Sequence, residues 1–105
     1  MDARLTVGAM FGLRPGDAHV IRNAGGCVDD DTIRSLRLSQ LRGGTSEIVL
    51  VHHEDCTALS DPAADLHLCL ERIHSSADLP HKDAVSGFLY TRGGALREVR
   101  ARRAE

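Results

Sequence analysis

The chain has 105 residues, enough for one domain with a single modest core and close to the size at which partners begin to matter for stability. Its hydrophobic share of 42% and mean hydropathy of -0.20 are ordinary for a water-soluble protein, and no run approaches the roughly 18 apolar residues of a membrane helix. A formal net charge of -2 excludes a broad basic field for nucleic acid, so the basic tail of Arg97, Arg100, Arg102 and Arg103 reads as solvated.

The opening MDARLTVGAM lacks the apolar centre and cleavage site of a signal peptide, which makes the cytoplasm the expected compartment. After it, the Pro-Gly pair of Arg14-Pro15-Gly16-Asp17 signals a turn, and Ala18-His19-Val20-Ile21-Arg22 reads as a short strand running into Asn23-Ala24-Gly25-Gly26. Asp29, Asp30 and Asp31 offer cap and first-turn carboxylates to a helix over residues 32–41. Ile33, Leu36 and Leu41 stand there at near-helical spacing, Leu38 widens the apolar face, and Gly43-Gly44 ends the run. Residues 47–51 carry four consecutive apolar side chains, the pattern of a strand buried on both faces, so strand, helix and strand should form a crossover unit. Leu59-Ser60-Asp61-Pro62 starts a second helix over residues 63–74, with Leu66, Leu70 and Ile73 on one face and Cys69 reading as a core cysteine. Residues 86–91 and 96–100 flank Arg92-Gly93-Gly94-Ala95 as a hairpin or strand pair at the sheet edge. The expected fold is one α/β domain over residues 1–105, a mostly parallel sheet flanked by helices with a C-terminal edge hairpin.

The chemistry concentrates in Val51-His52-His53-Glu54-Asp55-Cys56, directly after the apolar strand. Imidazole and thiolate are the commonest zinc ligands, and ligand sites in α/β sheets lie at carboxyl ends of strands, so His53 and Cys56 look like half of a metal site. His52, on the opposite face of an extended strand, reads as structural. Asp2 and Arg4, one residue apart, can pair on the same side of an extended segment. The three cysteines, Cys27, Cys56 and Cys69, are an odd count that suits a reducing compartment. His19 falls in the first expected strand as a packed, hydrogen-bonded residue, and His67, His74 and His81 lack ligand spacing and read as surface residues.

In order and spacing these pieces resemble the β-class carbonic anhydrases, where a Cys-x-Asp-x-Arg motif ends the first strand, a Gly-Asp-Ala-His-Val-Ile-Arg-Asn-Ala-Gly-Gly segment follows, and a His-x-x-Cys closes the metal site. The matching stretches are Met1-Asp2-Ala3-Arg4, Gly16-Asp17-Ala18-His19-Val20-Ile21-Arg22-Asn23-Ala24-Gly25-Gly26, Ile33-Arg34-Ser35-Leu36 with Ser39, and His53-Glu54-Asp55-Cys56. Gly87-Phe88-Leu89-Tyr90 extends a looser likeness into the hairpin. The resemblance implies a Zn2+ enzyme that reversibly hydrates carbon dioxide to bicarbonate, working as a homodimer or higher homo-oligomer. It implies His53 and Cys56 as metal ligands, Asp2 as the group that orients the attacking water or closes the site, and Arg4 as the partner that holds Asp2 off the metal. The family's first cysteine would stand just before Met1, so its first strand is expected to be lacking. That makes a non-catalytic remnant, serving metal binding or subunit pairing, the alternative expectation. Thr57 stands where the family has glycine, and residues 57–64 are shorter than the family's segment. Cys27 is a chemically allowed substitute for the missing thiolate.

Overall fold

The computed structural model describes residues 6–54 and 60–99; Asp2, Arg4, Cys56 and the basic tail from residue 100 lie outside them. A five-residue helix α1 (Val7–Phe11) opens the described chain, and a 3₁₀ turn (Ala24–Gly26) precedes helix α2 (Asp30–Gly43). Strand β1 (Glu47–His53), helix α3 (Pro62–Ser75), strand β2 (Ala84–Tyr90) and strand β3 (Leu96–Val99) follow. The sheet has the order β1-β2-β3, with β1 and β2 parallel through the α3 crossover and β2 and β3 antiparallel as the expected hairpin. This is the expected α/β class in the form of a small mixed sheet flanked by helices.

Both long helices start where their side chains can serve the exposed first amides. The Asp29 carboxylate accepts from the Thr32 amide at 2.8 Å, and the Asp61 carboxylate accepts from the Ala64 amide at 3.1 Å ahead of Pro62. Gly44 closes α2 in the left-handed region at φ 70. Neither long helix has the length and apolar content needed to cross a membrane, and the same holds for every helix among the described residues.

The core lies on one side of the sheet. Leu66, Cys69, Leu70 and Ile73 of α3 pack with Ile48, Leu50 and Leu89 of the sheet, and Val28 and Ile33 join them. A fully buried aliphatic side chain such as Leu66 or Ile73 contributes about 1.5–3 kcal/mol. On the other side Phe11 meets Phe88 edge-on, with ring centroids 5.5 Å apart.

Several expectations need correction. The apolar run of β1 is not buried on both faces: Ile48, Leu50 and His52 are buried, whereas Val49 on the opposite face is 40% exposed, because α3 covers only one side. Residues 18–22 form no strand, since no strand among the described residues lies beside them to pair their backbone. Val20 and Ile21 are therefore exposed, and the crossover unit is β1-α3-β2 instead. His19 is likewise exposed, its Nδ1 2.6 Å from the Ser39 hydroxyl. Helix α2 docks through Ile33, Leu36 and Gln40; at about 100° per residue, Leu38 and Leu41 point away from that stripe and are exposed. Of the three later histidines, His74 and His81 are exposed as expected and His67 is half-buried.

Candidate metal centre at the end of strand β1

Parallel pairing with β2 carries β1 to His53, which stands opposite Tyr90. Beyond it the chain is tied down twice: the Glu54 amide donates to the Tyr90 carbonyl at 3.0 Å, and the Glu54 carboxylate accepts from the Arg92 amide at 3.3 Å and faces its guanidinium at 3.7 Å. These bonds fix where the strand hands over to the segment containing Cys56. His53 is half-buried, and its Nδ1 lies 2.7 Å from the Glu54 carbonyl oxygen. A carbonyl only accepts, so Nδ1 is the donor here, and in the neutral imidazole Nε2 then carries the lone pair, the tautomer of a histidine set up to ligate through Nε2.

The loop of residues 23–27 packs against the same strand end. The Asn23 amide donates to the Cys27 carbonyl at 2.9 Å and to the Thr32 hydroxyl at 3.3 Å, while the Thr32 hydroxyl donates to the Cys27 carbonyl at 3.1 Å. Gly26, at φ 63, sits so close to β1 that a Cβ there would lie 3.0 Å from both the Val51 carbonyl oxygen and His52 Nδ1. Close backbone approach is the reason for a glycine at this point. The Cys27 thiol donates to the Ala24 carbonyl at 3.3 Å.

His52 points into the core, as strand alternation requires. Its Nε2 lies 2.8 Å from Asp65 Oδ2, and the Cys69 thiol donates to the same oxygen at 3.5 Å. Burial pushes the Cys69 thiol up to about 11, so it is held as the protonated donor. Sequence reasoning read His52 as structural and Cys69 as a core cysteine, and passed over Asp65. The available signal was the i, i+4 spacing of Asp65 and Cys69, which puts both on one face of α3. Of the four residues expected at the active site, the described structure contains His53; Cys56, Asp2 and Arg4 lie outside it.

The family model for carbonic anhydrase matches residues 1–84. Over 60 residues the chain is 60% identical to Beta-carbonic anhydrase 1 of Mycobacterium bovis, covering 57% of this chain and 37% of that protein. It is also 38% identical over 97 residues to a carbon disulfide hydrolase of Acidithiobacillus thiooxidans, covering 84% of this chain and 49% of that one. The chain thus spans between about a third and a half of the length of these relatives. Its fold superposes on the carbonic anhydrase of Streptococcus mutans with a TM-score of 0.88 at 34% identity, covering 95% of this chain and 77% of that one. With a family match running through both the His53 strand and the helix that covers it, the chain belongs to the carbonic anhydrase family, in its β class.

Proposed function

We propose that the protein containing this chain catalyses the zinc-dependent, reversible hydration of carbon dioxide to bicarbonate. The observation that carries this reading is the His53 imidazole, locked by the Glu54 carbonyl so that Nε2 holds the lone pair. An imidazole fixed in this way, with a cysteine three residues on, is a donor pair that fits zinc. His53 and Cys56 would hold the ion, which when bound supplies the Lewis acidity that brings the pKa of water down to about 7. In this reading Asp2 would orient the attacking water or close the site, and Arg4 would hold the Asp2 carboxylate off the metal through a charge-assisted pair. The closely packed loop of residues 23–27 serves as a small-residue wall beside the strand end. A cytoplasmic homodimer or higher homo-oligomer belongs to the same reading, supported by the exposed apolar side chains of Val20, Ile21 and Val49.

The likeness to a carbon disulfide hydrolase over 84% of the chain favours one further reading, hydrolysis of carbon disulfide at the same residues. Both substrates are linear, with an electrophilic carbon, so one assay series separates them. The zinc-loaded chain is mixed with carbon dioxide and a pH indicator in a stopped-flow cell, and with carbon disulfide while sulfide release is followed. Hydration above the buffer rate, lost in His53→Ala, is the expected result. Hydration that survives His53→Ala refutes the site, sulfide release without hydration assigns the second reading, and no turnover of either substrate refutes an enzymatic role for this chain.

A further inference from the structure

The face of β1 opposite His53 carries a second set of ligand atoms, which the proposed reaction leaves unused. His52 Nε2, one Asp65 oxygen and Cys69 Sγ all lie within 4.8 Å of one another. Nε2 is 2.8 Å from Oδ2, Oδ2 is 3.5 Å from Sγ, and Sγ is 4.0 Å from Nε2. Zinc held about 2.0–2.3 Å from nitrogen, oxygen and sulfur sets such ligands roughly 3.2–3.8 Å apart. The cluster therefore needs changes of about half an ångström, a lengthening of the His52–Asp65 contact and a shortening of the His52–Cys69 one. Asp65 can make that shift, because its side chain is 29% exposed while that of His52 is fully buried.

The three ligand atoms converge on Asp65 Oδ2, which faces both the His52 imidazole and the Cys69 thiol. One imidazole, one carboxylate and one thiol form a borderline-soft donor set, suited to zinc or cobalt(II) and not to calcium or magnesium. We propose that His52, Asp65 and Cys69 form a structural site for a thiophilic divalent cation, on the opposite face of β1 from His53. The fourth position falls to water. On binding, the Cys69 proton passes to solvent and the metal pins β1 to α3. In a chain with a small core, such a staple contributes directly to folding.

The test removes the family-pattern pair first. The full chain carrying His53→Ala and Cys56→Ser is titrated with cobalt(II), then with zinc in competition. The expected result is about one cobalt per chain with a thiolate-to-cobalt charge-transfer band, and a melting temperature raised by zinc. Adding Cys69→Ser removes the band, and adding Asp65→Asn keeps the band but weakens affinity by about tenfold or more. Absence of the band in the parent, its survival in Cys69→Ser, or unchanged affinity in Asp65→Asn overturns the site. Asp65, being partly exposed, supplies the decisive variant if Cys69→Ser does not fold by circular dichroism.

Discussion

Replacing Gly26 by alanine tests how the glycine loop is seated on β1. Gly26 has φ 63, and an added Cβ would meet the Val51 carbonyl oxygen and His52 Nδ1 at 3.0 Å and His52 Cε1 at 3.2 Å. The left-handed conformation alone costs a non-glycine residue about 1–2 kcal/mol. The steric part comes on top: the Val51 oxygen belongs to strand backbone and the His52 ring is fully buried, so neither yields cheaply, and overpacking of this kind costs about 1–3 kcal/mol. Gly44 separates the two contributions. It has φ 70 with nothing within 4 Å of its Cβ position, so Gly44→Ala pays the conformational cost alone. In urea unfolding followed by circular dichroism, with a slope of about 1–1.5 kcal/mol per molar, the Gly26→Ala midpoint should fall about 1–2 M below that of Gly44→Ala. Coincident midpoints would refute the close approach of the loop to β1.

Two further outcomes follow from other contacts. Gln40, buried in α2, donates to the His81 carbonyl at 2.7 Å and accepts from the His81 amide at 3.0 Å. Gln40→Met leaves both backbone groups without their partner and should cost about 1–3 kcal/mol in the same urea assay, and a loss below about 0.5 kcal/mol would count against the clasp. The Thr32 amide holds the Asp29 carboxyl below its ordinary value of 3.8, so its contribution is full above that pH and fades as pH falls through the lower folded value. Asp29→Asn keeps a capping oxygen but cannot titrate. Its melting temperature should therefore approach that of the parent chain between about pH 5 and pH 2, and a constant gap would contradict the cap.

Several signals in the sequence were read correctly where the physics is local, although the short helix α1 was not among them. Asp29 and Asp61 cap helices because a short carboxylate reaches the amide three residues on, wherever the helix goes next. Gly44 ends α2 for the equally local reason of its positive φ, and the Gly-containing turn between β2 and β3 joins a hairpin. His53 was found by its place in a motif, and the Glu54 carbonyl then gave its ring an orientation that no motif carries.

What the sequence by itself determined was the presence of the two long helices, the hairpin, the α/β class and the family. What only the tertiary structure decided was which neighbours each element has. A strand exists only where another strand takes its backbone hydrogen bonds, so Ala18-His19-Val20-Ile21-Arg22, strand-like in composition, remains irregular. The four apolar residues of β1 contain no record that α3 covers one face and leaves Val49 exposed on the other. His52, Asp65 and Cys69 converge because the crossover lays one turn of α3 over the end of β1, a contact that depends on the packing of helix on sheet and not on any spacing along the chain.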